Sequence, residues 1–252
     1  MTDRLGRADL HIHTLASDGT AGSIAILEHV EANLDLDVIA FTDHERIDAA
    51  RAARTIARDR GYRVEVVIGE EVTTLGGHLL ALWIEETIRP FRSLRNTIEA
   101  IHEQGGLAVP AHPLVPYPLC AQGFMLRRLL EDKPRFRPDG IEAFNPTTLG
   151  RPAHGRVVRF AEEHGLAKLG SSDAHALEAV GIGYTTFPGR TADELKTAIL
   201  ERTTHHHGTF HQTTAQLGTF QLQLRKYGRD ARANLGGRLR RDGTSRDLGY
   251  PR

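Results

Sequence analysis

Histidines and carboxylates recur in this chain at or just beyond the ends of short apolar runs. They stand in Asp9-Leu-His11-Ile-His13-Thr14, in Thr42-Asp43-His44, in Gly69-Glu70-Glu71, at His78, in Ala-His112-Pro and in Ser-Ser-Asp173-Ala-His175. Asp18 follows the first group in a Ser-Asp-Gly triplet. Such donors suit divalent cations, because neutral imidazoles and carboxylates are their ordinary ligands. Side chains alternate along an extended strand, so His-x-His places both imidazoles on one face, where they can share an ion. The same parity puts Asp9 on that face, where it could accept the second N–H of a histidine. A carboxylate of the Glu70-Glu71 pair could bridge two cations. Singly, each signal is weak: Ser-Asp-Gly reads as a turn, and a lone strand histidine is usually a packing residue. Repetition at successive strand ends carries the argument.

The remaining histidines do not follow that pattern. His29, His102, His154 and His164 lie in helical stretches and read as surface residues. His205, His206, His207 and His211 form a run that reads as solvated. With Cys120 the single cysteine, thiolate clusters and a disulfide framework are excluded. The chain contains no G-x-x-x-x-G-K-[ST], G-x-G-x-x-G, H-E-x-x-H or G-x-S-x-G, so neither a phosphate-cradling glycine loop nor a serine nucleophile is indicated.

The donors need elements to position them. Strands are expected over 8–13, 37–44, 63–72, 78–84, 107–113, 140–145 and 167–175, with helices over 21–33, 46–60, 93–104, 124–131, 153–164 and 192–202. Leu94, Ile98 and Ile101 form an amphipathic stripe that stops at Gly105-Gly106, and Thr191 with Glu194 forms a capping box. Strands alternating with helices predict a parallel sheet closed, or nearly closed, into a barrel. The proline-rich stretch 113–140 reads as a long loop over the barrel mouth. Active sites of such barrels lie at the C-terminal ends of the strands, which is where the donors fall.

Of 252 residues, 40% are hydrophobic, and Lys plus Arg equals Asp plus Glu at 32 each. The zero sum hides asymmetry: residues 221–252 hold nine basic and three acidic residues, so +6 in the tail offsets −6 in the rest. The tail reads as a flexible or docking extension. The N-terminus MTDRLGRADL lacks a signal-peptide core, and apolar runs such as LLALWI at 79–84 are far too short to span a membrane. A soluble, cytoplasmic protein is the expectation.

DLHIHT with SDGT, then FTDH, IGEE, PAHP and GSSDAH, in this order and rough spacing, resembles the polymerase and histidinol phosphatase (PHP) superfamily over about residues 7–190. The SDG form resembles the branch containing bacterial nucleotide phosphatases and exonucleases of short RNA. The resemblance implies an α/β fold, a distorted seven-stranded (β/α)7 TIM-like barrel, here with a barrel domain over 1–204 and a His/Arg-rich extension over 205–252. It implies two or three divalent ions (Mn, Fe or Zn). His11, His13, Glu70 and Asp173 would hold the first; Glu70 would bridge to a second completed by His78 and His112; Asp18, His44 and His175 would hold a third. It also implies hydrolysis of a phosphomonoester, nucleotide or short oligonucleotide by a metal-bridging hydroxide, with Glu70, Asp173 and His175 the catalytic set. Arg151 and Asn145, just after the sixth strand, are candidate phosphate contacts. Only 34 residues separate His78 from His112, too few for the cap domain of many relatives, so an open site is expected. Two alternatives stand beside this reading: a histidinol-phosphate phosphatase, and a non-catalytic scaffold whose Arg-rich tail docks to nucleic acid or a partner.

Overall fold

The computed structural model describes residues 4–147 and 150–210. The chain runs β1 (Gly6–Ile12), α1 (Ser23–Asn33), β2 (Val38–Phe41), α2 (Asp48–Arg60), β3 (Glu65–Thr74), β4 (Gly77–Leu82), α3 (Leu94–Glu103), β5 (Leu107–Pro110) and α4 (Gly123–Leu130). It continues through β6 (Gly140–Phe144), α5 (His154–His164), β7 (Ala167–Gly170), β8 (Gly183–Phe187), α6 (Ala192–Glu201) and β9 (His205–Gly208). Each helix and each strand expected from periodicity overlaps an observed element. The segment 113–140 contains α4 and a short 3₁₀ turn, Pro134–Phe136.

The sheet departs from an all-parallel barrel. Seven strands pair in the order β5-β4-β3-β2-β1-β8-β9, and β6 and β7 form a separate parallel ribbon. Only β1–β2 and β2–β3 are parallel in the large sheet; β3–β4, β4–β5, β1–β8 and β8–β9 are antiparallel. A tight turn at Leu75-Gly76 joins β3 and β4 as an antiparallel hairpin where a parallel sheet was expected, and Gly77 occupies φ 122° against the Ala121 backbone, which a Cβ would strike. The ribbon spans the gap of the curled sheet. Asp139 N–H donates to the Ala108 carbonyl at 2.9 Å on one side, and Gly170 N–H to Thr185 Oγ1 at 2.9 Å on the other. Beyond β7 the chain rejoins β1, where His13 N–H donates to the Ala174 carbonyl at 2.8 Å.

Two apolar layers result. Ala8, Leu10, Val38, Ala40, Val67, Leu80, Leu82, Val109 and Leu169 fill the concave side of the sheet. Ile12, Leu27, Ile39, Phe41, Ile68, Leu79, Ile98 and Phe160 lie between the sheet and its helices. Burial of such side chains supplies the main drive for folding, roughly 1.5–3 kcal/mol each.

The extension expected over 205–252 overlaps the folded body at its first residues. His205, His206 and His207 pair with Thr186, Thr185 and Tyr184 as β9, the outermost strand, so the folded body includes residues of the supposed tail. The +6 segment 221–252 and His211 lie outside the described residues. No helix among the described residues is long and apolar enough to cross a membrane.

Candidate metal centre

The apolar fill of the concave side gives way to donors at the C-terminal ends of the strands. On β3, Val67 faces the concave side and Ile68 the helices. Counting by two from Val67 through Gly69 brings Glu71 to the concave side and leaves Glu70 behind the sheet. His78 lies opposite Thr73 on β4, in phase with Leu80 and Leu82 of the concave layer. On β2, Val38 and Ala40 set the phase that carries inward to His44.

Glu71 is therefore the shared carboxylate, in the position expected of Glu70. Its Oε1 lies 2.8 Å from His78 Nδ1 and 3.0 Å from His112 Nε2. Its Oε2 lies 3.2 Å from His11 Nε2, 3.3 Å from His13 Nε2 and 3.5 Å from His44 Nδ1. Glu70 instead accepts the Ile88 N–H through Oε1, while its Oε2 is buried without a hydrogen-bond partner among the described residues. Burial raises its carboxyl to about 7, against the opposing Ile88 N–H. The run Val-Val-Ile-Gly-Glu-Glu-Val is apolar on both faces, which hides the parity that separates the two glutamates.

The other eight expected donors converge. Asp173 Oδ1 is 3.4 Å from both His11 Nε2 and His13 Nε2, and 3.6 Å from His175 Nδ1. Asp18 faces His13 Nδ1 at 3.4 Å, His175 Nε2 at 3.1 Å and His44 Nε2 at 3.8 Å. Four sets have donor atoms within 4.8 Å of one another: His11, His13 and Asp173; His13, Asp18 and His175; His13, His44 and Glu71; and Glu71, His78 and His112. His112 and Asp173 reach these positions from left-handed backbone, φ 31° and φ 50°, a conformation that non-glycine residues adopt at a cost. Gly19 of the Ser-Asp-Gly triplet packs so close to the His13 carbonyl that a Cβ would lie 2.4 Å from it, so the turn carrying Asp18 needs glycine there.

Asp9 does something other than orient a histidine. A bulge between Asp9 and Ile12 puts one extra residue into β1, so parity changes along the strand: Ala8 pairs with Val38 but Ile12 with Phe41. Asp9 is left accepting N–H groups of Ser172 at 3.0 Å and Gly181 at 2.8 Å. Complete burial raises its carboxyl to about 6 despite those donors.

The orienting role falls to Glu142, which sequence reasoning missed. Its Oε1 lies 2.9 Å from His11 Nδ1, and its Oε2 accepts the His112 N–H at 2.5 Å and Asn145 Nδ2 at 3.0 Å. Asp43, also missed, clamps the loop before Asp18 by accepting Thr14 N–H and Oγ1, both at 2.7 Å, and the N–H and hydroxyl of Ser17. Asp43 stands in the Phe-Thr-Asp-His motif beside His44, whereas no motif marks Glu142. Cys120 Sγ lies 3.3 Å from His112 Nδ1. Asn145 is buried and donates to Asp173 Oδ2 at 3.2 Å, so it supports a donor. Arg151 is exposed, its guanidinium 5.5 Å from the Phe210 ring centre.

Carboxylates and imidazoles set the charge of the cluster. Among the described residues, Asp18, Glu71 and Asp173 are paired with histidines alone and with no lysine or arginine. Burial opposes charge on these groups, yet mutual attraction outweighs it: Glu71, Asp173 and Asp18 are held below the usual carboxylate range by their histidines. In turn His11 and His112 are pushed up, and His13 to about 10, by the carboxylates around them. His44 goes down, through burial and through His13 and His78, despite Glu71. Protons thus occupy donors that cations would otherwise claim, as expected of a site whose ligands must deprotonate to bind metal. Six imidazoles and three carboxylates, sharing one glutamate, fit divalent ions.

The chain is similar to several known proteins. Residues 151–204 match the family described as PHP-associated. An uncharacterized protein of Methanocaldococcus jannaschii, MJ1587, is 35% identical over 150 residues, 55% of this chain and 81% of that protein. Among solved structures, a two-domain protein of Bacteroides vulgatus containing a predicted PHP-like metal-dependent phosphoesterase superposes with a TM-score of 0.67 at 16% identity. The similarity covers 82% of this chain but only 65% of that one. PsfC of Pseudomonas syringae superposes with a TM-score of 0.60 at 19% identity, covering 89% of this chain and 99% of that one. On the donor motifs, the curled sheet that carries them and these matches, the chain belongs to the PHP superfamily.

Proposed function

We propose that this chain is a metal-dependent phosphoesterase of the SDG-containing branch, hydrolysing a phosphomonoester, nucleotide or short oligonucleotide with two or three divalent ions (Mn, Fe or Zn). One observation carries the reading: Glu71 lies between two donor sets, with His78 and His112 on one oxygen and His11, His13 and His44 on the other. Ions held there lower the pKa of water and offset charge developing on phosphoryl oxygens.

The protein's own part is positional. Glu142 accepts the Nδ1 proton of His11 and leaves Nε2 as the ligand atom, which fixes the tautomer. Asn145 holds Asp173, and Asp43 holds the turn bearing Asp18. These contacts keep the donors in place before any ion or substrate arrives, so the ordering cost is met on folding. The complete donor set weighs against a non-catalytic scaffold.

Metal analysis of the purified full chain, followed by assay on p-nitrophenyl phosphate and 5′-phosphorylated oligonucleotides with and without chelator, tests the reading. Bound divalent metal and chelator-sensitive release of phosphate are expected. Metal-free protein with chelator-insensitive activity, or none, would overturn it.

A further inference from the structure

A cavity of about 300 Å³ lies between α4 and α5. Arg156, Arg159 and Glu163 recur at a spacing that places them along one stripe of α5. Arg127 of α4 faces them, its guanidinium 5.8 Å from the Phe160 ring centre. Leu114 and Gly123 line the same hollow. Leu114 stands two residues beyond His112, and its carbonyl accepts Arg156 Nη2 at 3.0 Å, which ties the hollow to the segment carrying a cluster donor.

The charge here is unbalanced. Several arginines elsewhere pair with carboxylates, among them Arg4 with Asp35, Arg54 with Glu85, Arg60 with Glu28, Arg95 with Asp132 and Arg190 with Asp37. Arg127, Arg156 and Arg159 have no ion pair among the described residues, although Glu163 lines the same wall. Three guanidiniums around one concavity repel one another when it is empty, and a bound oxyanion turns that repulsion into attraction. Guanidinium forks match phosphate oxygens geometrically. The floor is partly apolar, so the bound group would be partly desolvated.

We propose that this hollow is a second anion site, separate from the donor cluster, that binds a phosphate group through Arg127, Arg156 and Arg159. The phosphate has two possible sources: a distal phosphate of a substrate whose scissile group sits at the cluster, or a separate phosphorylated ligand. The first source rests on the phosphoesterase reading; the binding itself does not.

The test uses the full chain with its own ions and imidodiphosphate, a probe that resists hydrolysis, titrated calorimetrically at low and high salt. A salt-sensitive binding event is expected that survives chelation of the cluster. Arg127→Gln with Arg159→Gln should weaken that event about tenfold. Glu163→Gln should strengthen it severalfold, a gain that a folding defect cannot mimic. An unchanged titration in the arginine variant, or no gain in Glu163→Gln, would overturn the site. KM then separates the sources. A distal substrate phosphate raises KM in the arginine variant for a 5′-phosphorylated trinucleotide and not for p-nitrophenyl phosphate. A separate ligand leaves the two KM values in the same ratio, while imidodiphosphate alters turnover in wild type alone. If the phosphoesterase reading fails, the chelator-resistant titration still stands or falls by itself.

Discussion

The two ends of strand β2 treat buried carboxylates in opposite ways. At the start, Asp37 is 3% exposed and collects cations from the chain itself: Arg190 at 2.7 Å, Arg4 at 3.1 Å and Arg63 at 3.8 Å, with the Arg7 N–H at 3.0 Å. Past the far end, the ion pairs that Glu71, Asp173 and Asp18 make among the described residues are all with imidazoles. The first arrangement is complete in charge. The second is complete only when protons or external cations enter it. Burial of a carboxylate thus says little about function until its counter-charge is identified.

Breaking each end separates the two cases. Glu71→Gln removes the shared charge, and should lower chelator-sensitive turnover by about 10²–10³-fold and reduce bound metal. Retention of near wild-type turnover and metal content would show that Glu71 is not the bridge. Asp37→Ala leaves three guanidiniums without their common partner. Because those arginines are partly solvated, it should cost only about 2 kcal/mol of unfolding free energy. The comparison requires that its metal content match wild type and that saturating metal still raise its Tm; a loss of metal would join the two ends into one system.

Smaller effects sharpen the contrast between neighbours. Glu70→Gln should change turnover less than threefold, since Glu70 sits behind the sheet, and a loss like that of Glu71→Gln would reverse the assignment. Burial raises the Glu70 carboxyl to about 7, above the roughly 4.3 of an unfolded chain. The folded state therefore holds that proton more tightly. The resulting stability is full below roughly 4.3 and lost as pH rises to about 7, so the Tm of Glu70→Gln relative to wild type should climb across that interval and level off above it.

His206 titrates with the opposite sign. Burial, with His154 and Lys168 nearby, lowers it to about 4. Its contribution is present above about 6.5, the value in an unfolded chain, and is lost as pH falls toward 4. His206→Gln should flatten the decline of Tm over that acid range, and an unchanged slope would show that His206 is not its source.

The sequence disclosed the donors better than the frame that carries them. Most donors besides the bridging glutamate are legible because they stand at or just past a strand end, which apolar runs disclose, while Asp18 in its turn and His78 at the start of β4 are legible through the motif order. Choosing between Glu70 and Glu71 depended on parity, which a strand buried on both faces conceals. The Asp9 inference failed for a related reason, since a bulge of one residue inverts parity without a local sequence mark. Glu142 and Asp43 act across the fold on residues 131 and 29 positions away in sequence. Pairing of that kind is set by tertiary contact and has no one-dimensional trace. Strands β8 and β9 escape a reading by apolar runs, because Gly-Tyr-Thr-Thr-Phe and His-His-His-Gly contain no run of aliphatic residues.

Strand β9 bears on how this protein can be handled at the bench. Residues 205–208 cover the open flank of β8, so a version ending at Thr204 would leave the backbone amides and carbonyls of Gly183–Phe187 without their hydrogen-bonding neighbour. Such a flank recruits a strand from another molecule, and self-association is the ordinary result. Shortened forms intended for crystallisation or expression should therefore end beyond Phe210, where the ring is still in place against Phe144 at 4.9 Å.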